Sequence, residues 1–355
     1  MTLDFIWTAL PARVVFATGA LLRVADEVDR LGVSRVLVIG GGAARSNALA
    51  RLRDGLGARV AGEIADAAQH VPGQVAEAAV ATAGRVRADV VVTLGGGSAT
   101  GLGKVVALER DLPIIAIPTT YAGSEMTPIW GRTTDGVKQT GLDARVLPRT
   151  VIYDPELCLG MPPRLAAASG LNALAHCVEA FWSAGSNPVT SSLGDEGARL
   201  LLEGLPRVVA DSRDLDAHAS NLVGACLAGM CLAQAGTGIH HRTCHVLGGG
   251  WSLPHAETHA VVLPHAIALV APRAPAAIRR LAGLLDSGSP PQALFDLTSR
   301  LGLPSSLEAI GMPEDALDNA AQRVMAASRD DPLVPDFEAV RTMLDDAFFG
   351  LVPRG

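Results

Sequence analysis

The chain has 355 residues, long enough for two domains, and its formal net charge of -7 gives no support for nucleic acid or an anionic membrane as a partner. Hydrophobic residues make up 49%, but they are spread along periodic segments, with no uninterrupted apolar run long enough to cross a bilayer. The first residues include Asp4 and show no basic stretch before an apolar one, so no secretory signal is read there. The five cysteines lack C-x-x-C spacing, which argues against a disulfide framework or a cysteine zinc site, so a reducing cytoplasm is expected.

In chain order, residues 14–16 read as a short extended segment and 21–31 as a helix. The β-branched run 35–39 ends in Gly40, Gly41 and Gly42. Strand, glycine turn and helix is the order that holds nucleotide phosphates. The alternation recurs, with 60–64 extended, 75–86 helical and 89–94 an apolar strand. That strand runs into Gly95, Gly96, Gly97 and Ser98, followed by a helix over 100–108 that carries Lys104. Glycines let backbone amides approach a diphosphate, and the helix N-terminus adds partial positive charge. A tight turn that needs glycine on steric grounds alone is the simpler alternative. Residues 114–117 form another buried strand, and Thr119, Thr120, Tyr121, Gly123 and Ser124 follow it, where open α/β sheets bind ligands. The pattern predicts a mostly parallel sheet, helix-covered on both faces, with a nucleotide across its C-terminal edge.

Beyond the last strand at 151–154 the spacing becomes helical, at 165–182, 189–209, 217–235, 256–270, 276–285, 291–301 and 337–349. A boundary near Pro155 is expected, giving an α/β domain over 1–155 and an all-helical catalytic domain over 156–350. The last five residues, LVPRG, resemble the remnant of a thrombin site and are left out of the fold argument.

Six of the nine histidines fall within 238–265: His240, His241, His245, His255, His259 and His265. His241 and His245 are four apart, as are His255 and His259, so each pair shares a helix face. Gly248, Gly249, Gly250 and Pro254 read as a break that folds the second pair back on the first. One buried histidine is ordinarily a hydrogen-bonded core residue. Six clustered imidazoles suit metal ligation, proton transfer or recognition of an anionic substrate. Cys244, among them, reads as small apolar filler rather than a reactive thiol.

Asn172 and His176 also stand four apart, in SGLNALAH at 169–176. With His241 and His255 they complete a pattern through which the chain resembles the iron-containing alcohol dehydrogenase superfamily, whose dehydroquinate synthase-like fold joins a dinucleotide-binding α/β domain to an all-helical one. The strings GGGSATGLGK at 95–104, IPTTYAGSEMTPIWG at 117–131, VLPRTVIYDPEL at 146–157 and LPHAETHAVVLPH at 253–265 are similar to one branch of it. That branch uses NADH or NADPH to reduce the conjugated C=C bond of maleylacetate to 3-oxoadipate in the catabolism of aromatic compounds.

The resemblance implies a set of roles. Metal-dependent members hold their ion with an aspartate, a histidine four residues later and two further histidines; the matching positions are Asn172, His176, His241 and His255. A neutral amide replaces the only anionic ligand, so no tightly bound metal is expected. His176, His241, His245 and His255, with Tyr121, Asn172 and Arg242, are expected to hold the substrate dianion. His245 is the first choice as proton donor, with His240, His259 and His265 in supporting roles. Gly41, Gly42, Gly95, Gly96, Gly97, Ser98, Thr119, Thr120, Ser124 and Lys138, the last in a loop, are expected at the cofactor. The stretch after the first nucleotide strand has Arg45 and no carboxylate, so NADPH is expected to be accepted beside NADH. A homodimer is what the family suggests. The alternatives are a metal-dependent alcohol dehydrogenase of the same superfamily and a non-catalytic nucleotide-binding relative.

Overall fold

Three hydrophobic runs, VLVIG, VVVTLG and IIAIP, become strands β2 (Val36–Gly40), β4 (Val90–Gly95) and β5 (Ile114–Pro118), and every residue in them is buried. Burial on both faces is what such uninterrupted runs require, and a parallel sheet between helices provides it. The structure is a computed structural model, and it describes residues 5–10, 12–41, 46–65, 67–68, 71–134 and 137–354. The chain divides into two compact units. One comprises Thr8–Met161 and Arg213–Leu222; the other comprises Met1–Trp7, Pro162–Ser212 and Val223–Gly355.

In the first unit β1 (Arg13–Phe16), β3 (Val60–Ile64) and β8 (Thr150–Tyr153) complete a six-stranded sheet in the order β1-β8-β5-β4-β2-β3, parallel throughout. Alternation along the strands splits the core in two. Val36, Val38, Val90, Val92, Ile115 and Ile117 pack with residues of α1 (Val24–Leu31) and α2 (Ser46–Leu56). Leu37, Ile39 and Val91 pack with α3 (Gly73–Arg85) and α4 (Gly97–Arg110). Each such side chain contributes about 1.5–3 kcal/mol through burial, so the six on the first face outweigh any single polar contact in this unit. From β2 the chain moves outward to β3 and returns on the other side as β4, so the sheet's switch point lies between β2 and β4.

A two-stranded antiparallel hairpin, β6 (Ile129–Thr134) with β7 (Val137–Leu142), was not anticipated. Its register pairs Thr133 with Lys138, so Lys138 lies in a strand and not in the expected loop. The polar content of these strands hides them from a search for apolar runs. The Asp-Gly dipeptide at 135–136 was the available signal for a hairpin turn.

The second unit is helical. Its helices are α5 (Pro163–Glu179), α6 (Pro188–Ala210), the later part of α7 (Leu215–Ala235), α8 (Ile239–Trp251), α9 (His255–Val270), α10 (Pro275–Leu285), α11 (Pro290–Arg300), α12 (Leu317–Ala327) and α13 (Phe337–Phe349). Helix α5 is buried along nearly its whole length, and its alanines and Gly170 allow this. A Cβ on Gly170 would stand 2.1 Å from Leu205 Cδ2 of α6, so only glycine permits that approach. Helix α6 begins with a capping box, in which Asn187 and Thr190 satisfy each other's backbone amides. Against the expectation of no membrane-length apolar segment, α7 is long and apolar enough to span a bilayer by length and composition. However, 56% of its most apolar window is buried in the fold, as in a core helix.

The predicted break at Gly248–Gly250 is not one. Helix α8 continues through these glycines to Trp251, and the chain turns at Ser252, which adopts a left-handed φ of 55° before Pro254. The Arg323 guanidinium of α12, a helix the periodicity had not singled out, lies over Gly250 and the Trp251 ring at this end of α8. The turn still brings α9 back against α8, and their apolar faces share a core with α12 and α13 that includes Leu247, Val262, Leu317, Val324 and Leu344.

Candidate active site

At the sheet's switch point two glycine turns come together. Gly40 of β2 pairs with Leu94 of β4, and a Cβ on Gly95 would lie 3.6 Å from the Gly41 amide nitrogen and 2.8 Å from Ala99 Cβ. The next strand closes the other side. The Thr119 amide donates to the Gly95 carbonyl at 3.0 Å, and a Cβ on Gly96 would meet Thr120 Oγ1 at 2.9 Å. Gly96 caps α4 without a side-chain hydrogen bond to the first-turn amides, and no acidic residue occupies that turn. Gly97 and Ser98 supply two of these amides. Open amides and partial positive charge fit the diphosphate of a dinucleotide. Of the expected cofactor residues, Gly41, Gly95, Gly96, Gly97, Ser98, Thr119 and Thr120 thus share one edge, while Gly42 and Arg45 lie outside the described residues.

Ser124 is held by an element that sequence reasoning did not assign. Lys104, on α4 and 1% exposed, directs its ammonium at the carbonyls of Ser124 (2.6 Å), Thr127 (2.7 Å) and Ile129 (2.8 Å) and at Thr127 Oγ1 (3.0 Å). Burial lowers its pKa to about 7, and the nearby Glu125 carboxylate pulls the other way. Only two of the 29 lysine and arginine residues are lysine, Lys104 and Lys138. That composition was the missed signal, because a cage of four oxygens accepts a compact ammonium and has no room for a planar guanidinium.

Tyr121, expected to assist the substrate, is fully buried in the first unit, and its hydroxyl is 2.5 Å from Nδ1 of the equally buried His218. Burial raises its pKa, so the phenol stays protonated. The structure therefore gives Tyr121 a partner of its own among the core residues.

The histidines assemble in the helical unit in two layers. His176 of α5, His240 and His241 of α8 and His259 of α9 are buried, whereas His245 and His255 are exposed. The His176 and His241 rings stack at 4.1 Å, His241 and His259 stand 4.6 Å apart, and His259 meets His255 at 4.4 Å. Outside them, His245 and His255 lie nearly parallel at 6.3 Å. Asn172 is one helical turn before His176. His240 and His259 thus belong to the cluster itself. His265 stands apart, edge-on to Phe295 at 6.1 Å, and burial lowers its pKa to about 4. Arg242 turns away from the His241 face to Asp331, at 3.4 Å.

Burial pulls the pKa values of His176, His241 and His259 well below the usual imidazole range, and the neighbouring rings add to this. Several of their polar atoms have no partner among the described residues: Asn172 Oδ1, His176 Nδ1, His241 Nε2 and both nitrogens of His259. Native interiors rarely leave so many buried polar atoms unpaired without a ligand to meet them. His240, His241 and His259 bring ring nitrogens within 4.8 Å of one another, a spacing that suits a metal ion. Two of those rings are already engaged. His240 Nε2 is 3.1 Å from the His259 carbonyl, and His241 Nδ1 is 2.5 Å from Glu179 Oε2. The unpaired set with ligand-binding capacity is therefore Asn172, His176, His241 and His259.

Glu179 is a buried neighbour of the cluster that sequence reasoning did not single out. It follows His176 by three positions on α5, is 1% exposed, and its Oε1 accepts the His240 amide at 2.9 Å while Oε2 meets His241. Burial raises its pKa, against the pull of His240 and of the α8 amides.

Two family profiles divide the chain between them: "Iron-containing alcohol dehydrogenase" matches residues 11–155 and "Fe-containing alcohol dehydrogenase family, C-terminal" matches residues 166–348. A maleylacetate reductase of Burkholderia cepacia is 47% identical, covering 98% of this chain and 99% of the relative. The crystal structure of maleylacetate reductase from Agrobacterium tumefaciens superposes with a TM-score of 0.93 at 44% identity, covering 99% of this chain and 100% of that one. That of the Rhizobium sp. strain MTP-10005 enzyme gives 0.92 at 44% identity, covering 99% of each chain.

Proposed function

The chain belongs to the iron-containing alcohol dehydrogenase family, and from that premise we propose that it is an oxidoreductase that reduces the conjugated C=C bond of maleylacetate to give 3-oxoadipate. The observation that carries this reading is the neutral residue Asn172 at the head of a buried histidine cluster, in a chain 47% identical to a maleylacetate reductase.

The glycine edge formed by Gly41, Gly95, Gly96, Gly97, Ser98, Thr119 and Thr120 would hold a nicotinamide dinucleotide through backbone amides. Bound in its reduced form, that cofactor supplies a hydride for the alkene carbon beta to the ketone. Charge then spreads over an enolate, which is less basic than the alkoxide formed in carbonyl reduction and depends less on a Lewis acid. Residues of the histidine cluster would meet this charge with N–H donors. His176 and His241 lie in the buried layer, where water does not compete and each hydrogen bond is stronger. The carbon next to the ketone must then gain a proton. His245 is our candidate donor, since it lies in the exposed layer, where solvent can restore its proton after each turnover.

The positions that match the family's metal ligands, Asn172, His176, His241 and His255, and the buried unpaired set with His259 in place of His255, alike present three imidazoles and an amide oxygen with no anion among them. Without the carboxylate that metal-dependent members supply, neither set fits tight binding of iron. Five free thiols suit a reducing cytoplasm, and the family suggests a homodimer. The test is loss of the reduced-nicotinamide absorbance when maleylacetate is added to chelator-treated, metal-analysed protein. Rapid oxidation without stoichiometric metal, with NADH and NADPH of comparable efficiency, is expected. Turnover only after iron or zinc is restored would make the protein a metal-dependent enzyme instead.

A further inference from the structure

We propose that Glu179 is the positioning residue of the histidine cluster, fixing which nitrogen of His241 is presented to the substrate; this rests on the function proposed above. Three observations meet at its carboxylate. Oε2 lies 2.5 Å from His241 Nδ1, a short contact for a charge-assisted hydrogen bond. Oε1 accepts the His240 amide at 2.9 Å and lies 3.4 Å from the His241 amide, so the same group caps the first turn of α8. A Cβ on Gly238 would lie 3.0 Å from Oε1, a tight approach that the bare glycine just before α8 relieves.

The consequence is directional. With Nδ1 committed to Glu179, the nitrogen left for a ligand is Nε2, which is buried and has no partner among the described residues. His241 thus has Nε2 to offer an enolate oxygen, and the carboxylate behind Nδ1 holds the ring in that orientation. A histidine oriented by a buried acid performs the same task in hydrolytic triads. Glu179 touches no reacting atom.

Glu179→Gln keeps the shape and the Oε1 cap but turns an amide donor toward Nδ1. The expected result is a kcat lowered about 10–100-fold with the KM for NADH unchanged within about twofold. A strongly deshielded imidazole proton should be seen by NMR in the wild-type protein and lost in both Glu179→Gln and His241→Gln. Gly238→Ala, a milder variant, should shift that resonance and lower kcat in the same direction. A Glu179→Gln enzyme with kcat within twofold of wild type and the resonance retained would overturn the assignment. The resonance needs no substrate. If the wild-type protein fails to turn over maleylacetate, the function falls while the NMR result still decides the role of Glu179.

Discussion

The glycine edge of the sheet and the histidine cluster of the helical unit both present polar groups, by opposite means. The edge uses the main chain: glycines remove side chains so that amides are reachable, and its shape follows from strand register and the start of α4. The cluster uses side chains drawn from α5, α8 and α9, and it pays for them with buried nitrogens that have no partner among the described residues. A main-chain site tolerates many sequences that keep its small residues, whereas a side-chain site depends on each member and on what orients it. Lesions in the two regions should therefore fail in different kinetic terms.

The sharpest break should come from the buried layer. His241→Ala is expected to lower kcat about a thousandfold while NADH binding, measured by fluorescence titration, is retained. At the edge, Gly96→Val sets a side chain against Thr120 Oγ1 and should raise the KM for NADH about a hundredfold with little change in kcat. Equal losses in both parameters for both variants would erase the distinction. The smallest effect separates a ligand-facing histidine from a core one. His265 has its folded pKa lowered to about 4, so between that value and the ordinary imidazole range the unfolded chain binds more protons. Through His265 alone stability should therefore fall as pH drops through that window, by about 1.6 kcal/mol from pH 6.5 to 5. His265→Leu should lessen the slope of that part of the urea-unfolding profile by this share, without altering kcat.

These two regions also differ in how far the sequence reveals them. The parallel sheet, both glycine turns and the helical second half were legible, because buried strands are written as continuous Val/Ile/Leu runs and glycines mark their ends. The β6–β7 hairpin was not, since half-exposed polar strands carry no such run. The histidines could be named from the sequence. Their layering could not, because helix spacing gives a residue's face and not the depth of that face in a bundle. Spacing pairs His241 with His245, yet one is buried and the other exposed. Glu179 was hidden for a related reason. It lies on α5 with Asn172 and His176, but its partner His241 is 62 positions away. Tyr121 shows the reverse case, a residue expected to assist the substrate whose buried hydroxyl lies 2.5 Å from His218 Nδ1.

The oxygen cage around Lys104 gives this chain an internal clock for its own opening. With a single other lysine in the sequence, and Lys104 itself 1% exposed, an amine-reactive label can reach this side chain only when the loop after β5 or the whole unit comes apart. The rate at which Lys104 is acylated thus counts excursions out of the folded state one molecule at a time. A bound dinucleotide, by holding the neighbouring glycine edge closed, would slow that count in proportion to its occupancy.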